Sequence, residues 1–471
     1  MGKDILSYQS NEPITQVLAK LPQAELEQSL NEFLAPLTQL LPDQRLKRVA
    51  AVAVQGILAG QSPVVAAMAQ SVSRQDANPW AAAKRVYRLL DNDRFTHALL
   101  QQGLYQVTQS TVRMQMQRET LPYLVVAVDP VNFEKPYTEK LEGVSIVHKS
   151  TPPDLRGGAR LARGYPAITA TVVNTLVPAT TYAQWFSYVT DDFLSQNKEV
   201  ERAIVTTRQL FPSSTHRVRF VGDAGLDDQK VFGQVEKVQA EFVIRACHLN
   251  RIVQVYNPRL DRWETERLQD LVSTIPAEGS FEANFTHAGY SWTSTVTLGW
   301  LLVRLPSDEG DETEQEGQEQ QPIWALIAED TDEKGKERTL VLLTNVPIHT
   351  MEDAQQLYSD WRMRGRIEHG YRFDQEQGLD VEDMRVRTLE RMRRLFVLVL
   401  VAAQFVFYLM DSWPAAAVQW LRRLGGKLGL GTDRDGPYIV LRGLSAVWQA
   451  VAALTWLLVC PFPHQEFQSC G

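Results

Sequence analysis

Cysteine is scarce in this chain: Cys247, Cys460 and Cys470 are its only three in 471 residues. None falls in a CxxC pair, which argues against a disulfide framework or a thiolate zinc cluster. The eight histidines form no HExxH, so a zincin-type site is excluded as well. Positive charge is also lacking, with a net −8, and this speaks against a uniformly basic nucleic-acid binder. One tract accounts for most of the imbalance. "PSDEGDETEQEGQEQQP" (306–322) holds seven acids and no Lys or Arg, and without it the charge is −1. Any DNA-binding surface must therefore come from local clustering. Long apolar runs are missing too. Leu395 to Met410 is apolar apart from Gln404, yet its 16 residues fall short of the roughly 20 that span a bilayer, so it reads as a buried core helix. "MGKDILSYQSNEP" has no basic segment followed by an apolar run, so no secretory leader is expected. The expected location is the cytoplasm, without a membrane partner.

Periodicity divides what is present. Residues 1–117 read as helical: "PDQRLKRVAAVAVQGILAG" begins after a proline and stops at a glycine, and "NPWAAAKRVYRLLDNDR" opens with the Asn-Pro start that helices use. On this second helix Lys84, Arg85 and Arg88 cluster, as DNA phosphates would require, or as a solvated face would allow. Residues 118–251 read as α/β. "YLVVAVDP" is a continuous apolar run ending at Asp129-Pro130, the pattern of a buried central strand. "GVSIVHKS" and "PAITATVVNTL" follow, then a helix near 197–210, a strand "HRVRFVGDAG" ending at Asp223, and "EFVIRACHL". Residues 252–338 read as mostly β, interrupted by the acidic tract, which reads as a disordered loop tip. Strand and helix resume over 339–411, with Thr350 and Asp353 spaced as a capping box. Residues 412–471 are helical and apolar, suited to packing on the core or to dimerisation.

Two strand-end aspartates mean more than one. In a parallel-type sheet such ends open on a crevice, and a third acid, Glu368, lies within "WRMRGRIEHGYRFDQ" (361–375). That stretch reads as one continuous helix on which Trp361, Arg364, Glu368, Arg372 and Gln375 share a stripe roughly 80° wide. Mg²⁺ takes hard oxygen ligands, few of them from protein, together with substrate phosphates. Two such ions about 4 Å apart can serve both the attacking and the leaving oxygen of an in-line displacement. Arginines beside the glutamate can grip phosphate in pairs of bonds. The competing reading is an ordinary salt-bridged surface. "RGGARLARG" (156–164), with Arg156, Arg160 and Arg163, reads as a basic loop that could meet a DNA backbone. It lacks the order of a nucleotide phosphate loop.

The pattern Trp361-x2-Arg364-x3-Glu368-x6-Gln375 resembles the Tyr-x2-Arg-x3-Glu-x6-Lys signature of a group of DDE transposases from bacterial insertion sequences. "VVAVDP", "FVGDAGLDD" and "LVLLTNVP" resemble that family's core strands, and the likeness touches residues from about 40 to 410. It implies an RNase H-like core with a β-rich insertion, and a helical DNA-binding domain ahead of it. It further implies Asp129, Asp223 and Glu368 as ligands of two Mg²⁺ ions (Mn²⁺ substituting), with Arg364 on phosphate. Its implied partners are double-stranded DNA, both element inverted repeats and target, and a second copy of the chain in the DNA complex. The implied reaction is end cleavage through a hairpin, then strand transfer. An insertion aromatic holds an everted base in such proteins, and Trp292 is the candidate here, although strand tryptophans are usually core. Two positions depart from the signature: Trp361 replaces tyrosine and Gln375 replaces lysine, with Arg372 as the candidate substitute for the lost charge. Those departures support an alternative, a DNA-binding protein that retains the fold without the chemistry. Another RNase H-like nuclease, such as a junction resolvase, would share the metal site without needing the insertion.

Overall fold

The computed structural model describes residues 14–72, 78–135, 140–149, 160–257, 260–287, 290–306, 322–332, 334–367, 378–426 and 436–459. Glu368, Arg372 and Gln375, together with Arg156 and most of the acidic tract (307–321), lie outside the described residues.

The chain is mixed α/β. Helices α1 (Ile14–Ala19), α2 (Gln23–Gln39), α3 (Gln44–Gly60), α4 (Val65–Val72), α5 (Pro79–Leu90) and α6 (His97–Glu119) come first. Short polar side chains begin three of them: Asp43, Asn78 and Thr96 each accept a backbone N–H of the first turn, donors that a helix cannot satisfy itself. Helices α3 and α4 meet at 95°, across a break where Gln61 takes the left-handed conformation.

The strands form one continuous 12-stranded sheet. In chain order they are β1 (Leu124–Glu134), β2 (Ser145–His148), β3 (Leu161–Val172), β4 (Ala179–Trp185), β5 (Val218–Gly222), β6 (Glu241–Arg245), β7 (Ile252–Asn257), β8 (Arg262–Arg267), β9 (Gly279–His287), β10 (Tyr290–Arg304), β11 (Ile323–Thr331) and β12 (Glu337–Thr344). Their order is β2-β3-β1-β5-β6-β12-β11-β10-β7-β8, with β4 also on β3 and β9 also on β10. Among the described residues only β1–β5 and β5–β6 are parallel. These are the strands whose sequences read as near-continuous apolar runs, because both of their faces are covered. Helices α7 (Gln196–Leu210) and α8 (Gln229–Lys237) cover one face, and α10 (Met351–Arg362) covers the other. Helix α9 (Leu268–Val272) is a short turn before β9.

The apolar stretch at 395–410 belongs to a longer helix than its sequence suggests, α11 (Leu389–Ser412), followed by α12 (Ala415–Gly425) and α13 (Pro437–Val459). By length and hydropathy alone Leu389–Ser412 and Pro437–Trp456 could each cross a membrane. Of the apolar 18-residue stretch in each, 72% is buried within the protein in the first, where Phe396 packs on Phe133 and Trp185, and 39% in the second.

Two further readings need correction. The strand carrying Asp129 does not end at Pro130: β1 runs to Glu134, paired with β3 from Val126 onward. Its pairing with β5 stops at Val128, so Pro130, which has no N–H, lies where one side of the strand is already released. The basic stretch 156–164 is not all loop either. Arg163 lies within β3 opposite Ile146, and the exposed Arg160 precedes that strand.

The acidic tract joins β10 to β11, neighbours whose residues Val303 and Ile323 are register partners. A short turn could bridge that gap. Replacing 306–322 with a four-residue Gly/Asn turn is expected to raise the unfolding free energy by about 1 kcal/mol, since each halving of loop length saves about 0.6 kcal/mol of closure entropy. Urea denaturation checks this, and a loss of stability would show that the tract packs on the sheet.

Candidate active site

The parallel register places the two aspartates. Val128 pairs with Gly222, and Gly222 with Ile244, so the next residues, Asp129, Asp223 and Arg245, stand at one level where the parallel pairing of three adjacent strands stops. Alternation puts them on one face. Val125 and Ala127, Val221 and Val243 precede them on that face, packed beneath Ala354, Leu357 and Tyr358 of α10. Beyond Asp129, Val131 and Phe133 continue in the cluster that contains α11. The acids therefore sit where the cover of α10 ends and that of α11 begins.

Asp223 starts a 3-10 turn, Ala224–Leu226, in extended backbone, and its side chain is 35% exposed. Two guanidinium groups flank it loosely. Arg245 Nη1 stands 3.5 Å from Oδ1 and Arg364 Nη2 3.6 Å from Oδ2. Contacts this long leave the carboxylate oxygens accessible to a competing ligand. Arg245 was invisible in the sequence, where "EFVIRACHL" reads only as a further strand. Only its register against Asp223 reveals its place.

Trp361 and Arg364 reach the site together, but not on a continuous helix. Helix α10 ends at Arg362, Met363 and Arg364 form a turn, and helical backbone resumes over 365–367. The hydrogen bonds tighten there from i−4 to i−3: Arg364 N–H donates to Trp361 O, Arg366 to Met363 O, and Ile367 to Arg364 O. Because the step is i+3, Arg364 stays beside Trp361, its Cζ 5.9 Å from the ring. Trp361 Nε1 donates to Gly222 O at 2.9 Å, docking this turn onto the end of β5 next to Asp223. Ile367, buried in the same cluster as Val221, directly precedes Glu368 in the chain.

Asp227 organises the turn after Asp223. Its buried carboxylate pairs with Arg251 and accepts the backbone N–H groups of Cys247 (2.7 Å) and His248 (3.1 Å). Ligand atoms of Asp227, Cys247 and His248 lie within 4.8 Å of one another. With the carboxylate committed to a guanidinium and two amides, the trio acts as a structural clasp. The donors at the strand ends are carboxylate oxygens instead, and hard donors of this kind fit Mg²⁺.

The other candidates are dispersed. Lys84, Arg85 and Arg88 are exposed on α5. Trp80, which sequence reasoning passed over, is 59% exposed on the same helix, with Lys84 Nζ 5.6 Å from its ring centroid. Trp292 stacks on Phe285 at 5.3 Å and donates Nε1 to Thr331 O, so one ring face and its N–H are already engaged. Arg362 lies on the other partner of that stack, 4.1 Å from the Phe285 ring centroid.

The segment after residue 377 is tied back by a buried lysine. Lys135, 3% exposed, donates to the carbonyls of Val381 and Glu382. Burial pushes its pKa down to about 8, only partly opposed by Glu382, Asp380 and Asp383. Between pH 8 and the usual 10.5 the folded chain then binds less proton than the unfolded one. Its burial cost is thus present in full below pH 8 and is relieved as pH rises towards 10.5. Against Lys135→Met, the parent is expected to gain on the order of 2–3 kcal/mol across that window. Parallel urea titrations read the difference, and a constant gap would refute it.

No protein-family model matches the chain, and no curated protein matches its sequence.

Proposed function

We propose that the chain is a Mg²⁺-dependent DNA transposase with an RNase H-like core, cutting transposon ends and joining them to target DNA. The observation that carries this reading is the pairing of Asp129 and Asp223 at one level of adjacent parallel strands, with Arg245 and Arg364 beside Asp223. Bound Mg²⁺ would supply charge neutralisation at the attacked phosphate. Asp129 and Asp223 would hold it, with Glu368 as the third carboxylate. The flanking arginines would orient the phosphate, a task that suits a planar, permanently charged fork. The exposed basic face of α5 would contact the duplex backbone, while β7–β11 form the β-rich insertion. A second copy of the chain is the proposed partner on DNA, and the cytoplasm the proposed location.

One observation favours the second reading, a fold kept for DNA binding alone. Trp361, at a signature position, uses its ring N–H on Gly222 O and so serves as a dock. Crystals soaked in Mn²⁺ separate the two. Anomalous density bridging Asp129 and Asp223 is the expected result, and its absence at saturating Mn²⁺ with duplex DNA bound would sink the catalytic reading.

A further inference from the structure

On the face that carries the site, but at the opposite ends of the same strands, lies a buried network of charges. Arg219, 4% exposed, pairs with Asp360, 1% exposed. It also donates through Nε and Nη2 to Glu241, at 2.8 and 2.7 Å. Tyr123 Oη donates to Asp360 Oδ2 at 2.8 Å and Gln356 Nε2 to Oδ1 at 2.9 Å, and the guanidinium lies 4.3 Å from the Tyr123 ring centroid.

The placement of its members is telling. Arg219 stands four residues before Asp223 on β5, and Glu241 four residues before Arg245 on β6. Tyr123 directly precedes β1, which carries Asp129, and Asp360 stands one helical turn before Arg364. One network thus touches each of the three strands that deliver the site and the helix laid across them. As a source of stability it is a poor choice. Ion pairs taken out of water recover little of their desolvation cost, and an aspartate in a helix's last turn opposes the dipole. Its value lies in geometry, because the guanidinium fork fits one register of α10 against β5 and β6, whereas apolar packing tolerates several.

We propose that Arg219 and Asp360 are positioning residues that fix α10 in register with the sheet, and so set the carboxylates and arginines of the site. The inference rests on the metal-site reading above. The test is Mn²⁺ binding by the full chain, followed by electron paramagnetic resonance of the free ion, in the parent, in Arg219→Met/Asp360→Leu and in Arg219→Lys. The double variant removes both charges, with Met close to Arg in volume and Leu bulkier than Asp, and is expected to unfold near the parent's urea concentration. It should nevertheless bind Mn²⁺ roughly 10-fold more weakly, the lower end of the loss that follows when groups orienting a metal's ligands are removed. Arg219→Lys keeps the charge without the fork and should fall between. Parent-like Mn²⁺ affinity in either folded variant would overturn the proposal, and the lysine variant decides alone if the double variant does not fold. A parent whose Mn²⁺ binding is absent, or is indifferent to Asp129→Asn, would instead remove the metal site itself, and this proposal with it.

Discussion

Asp129→Asn and Asp223→Asn are each expected to lower Mg²⁺-dependent strand cleavage by about 10³-fold or more, with Asp223→Asn unfolding at nearly the parent's denaturant concentration. The activity loss follows from what an amide cannot do. It keeps the shape of the carboxylate but not its charge, and under the proposed chemistry charge neutralisation at the phosphate would provide most of the rate. The small stability effect follows from the surroundings. Asp223 is 35% exposed and its two arginine contacts are 3.5 and 3.6 Å long, so losing them costs about 1 kcal/mol at most. Arg245→Ala supplies the contrast. It should leave metal binding intact, weaken duplex binding, and reduce the salt slope of that binding by about one. Cleavage assays on a supercoiled plasmid, with metal and salt titrations, check all three. A cleaving Asp223→Asn protein would exclude the proposed chemistry whatever the DNA affinity.

Much of this geometry was legible in sequence for a simple reason. Strands buried on both faces must be apolar along their length, so "YLVVAVDP" and "HRVRFVGDAG" announce both themselves and the acids that end the run. Strand β4, "ATTYAQW", escaped notice because Thr and Gln dilute the pattern: Thr181 is buried, with its hydroxyl bonded to Ala170 O and Thr207. The break at Met363 was equally hidden, since Arg and Met suit a helix and Gly365 alone hints otherwise. At that break Trp361 docks on Gly222, a contact across 139 residues. The Arg219–Asp360 pair spans 141 residues, and nothing local to either position shows its partner. Local patterns report burial well, whereas partners chosen across the sheet appear only in three dimensions.

Arg208 is the sharpest case of that kind, and replacing it should cost more stability than any other single change considered. In sequence it is a cation in the last turn of a helix, "ERAIVTTRQL", where solvent exposure would be assumed. In the fold it is 8% exposed and makes no ion pair among the described residues. Its guanidinium donates to four carbonyls: Val238 (2.9 Å), Phe211 (2.9 Å), His216 (2.8 Å) and Gln239 (2.9 Å). Burial lowers its pKa from the ordinary arginine value, though a guanidinium remains charged at any physiological pH. Phe211 and His216 belong to the connection leading into β5, and Val238 and Gln239 to the one leading into β6. One side chain therefore closes both loops that feed the strands of Asp223 and Arg245, and Gln239 is held in the left-handed conformation beside it. Arg208→Met keeps the aliphatic stem but strips four acceptors of their donor in a site closed to most solvent. At about 1–3 kcal/mol for each buried group left unpaired, with some recovered by entering water, a loss of about 3–5 kcal/mol is expected. Arg208→Lys should recover only part of it, because an ammonium offers three donors from one point, not a planar fork that spans two loops. Urea unfolding of the three proteins measures the series. If methionine is tolerated within about 1 kcal/mol, the two loops are held by their own turns and the guanidinium is incidental.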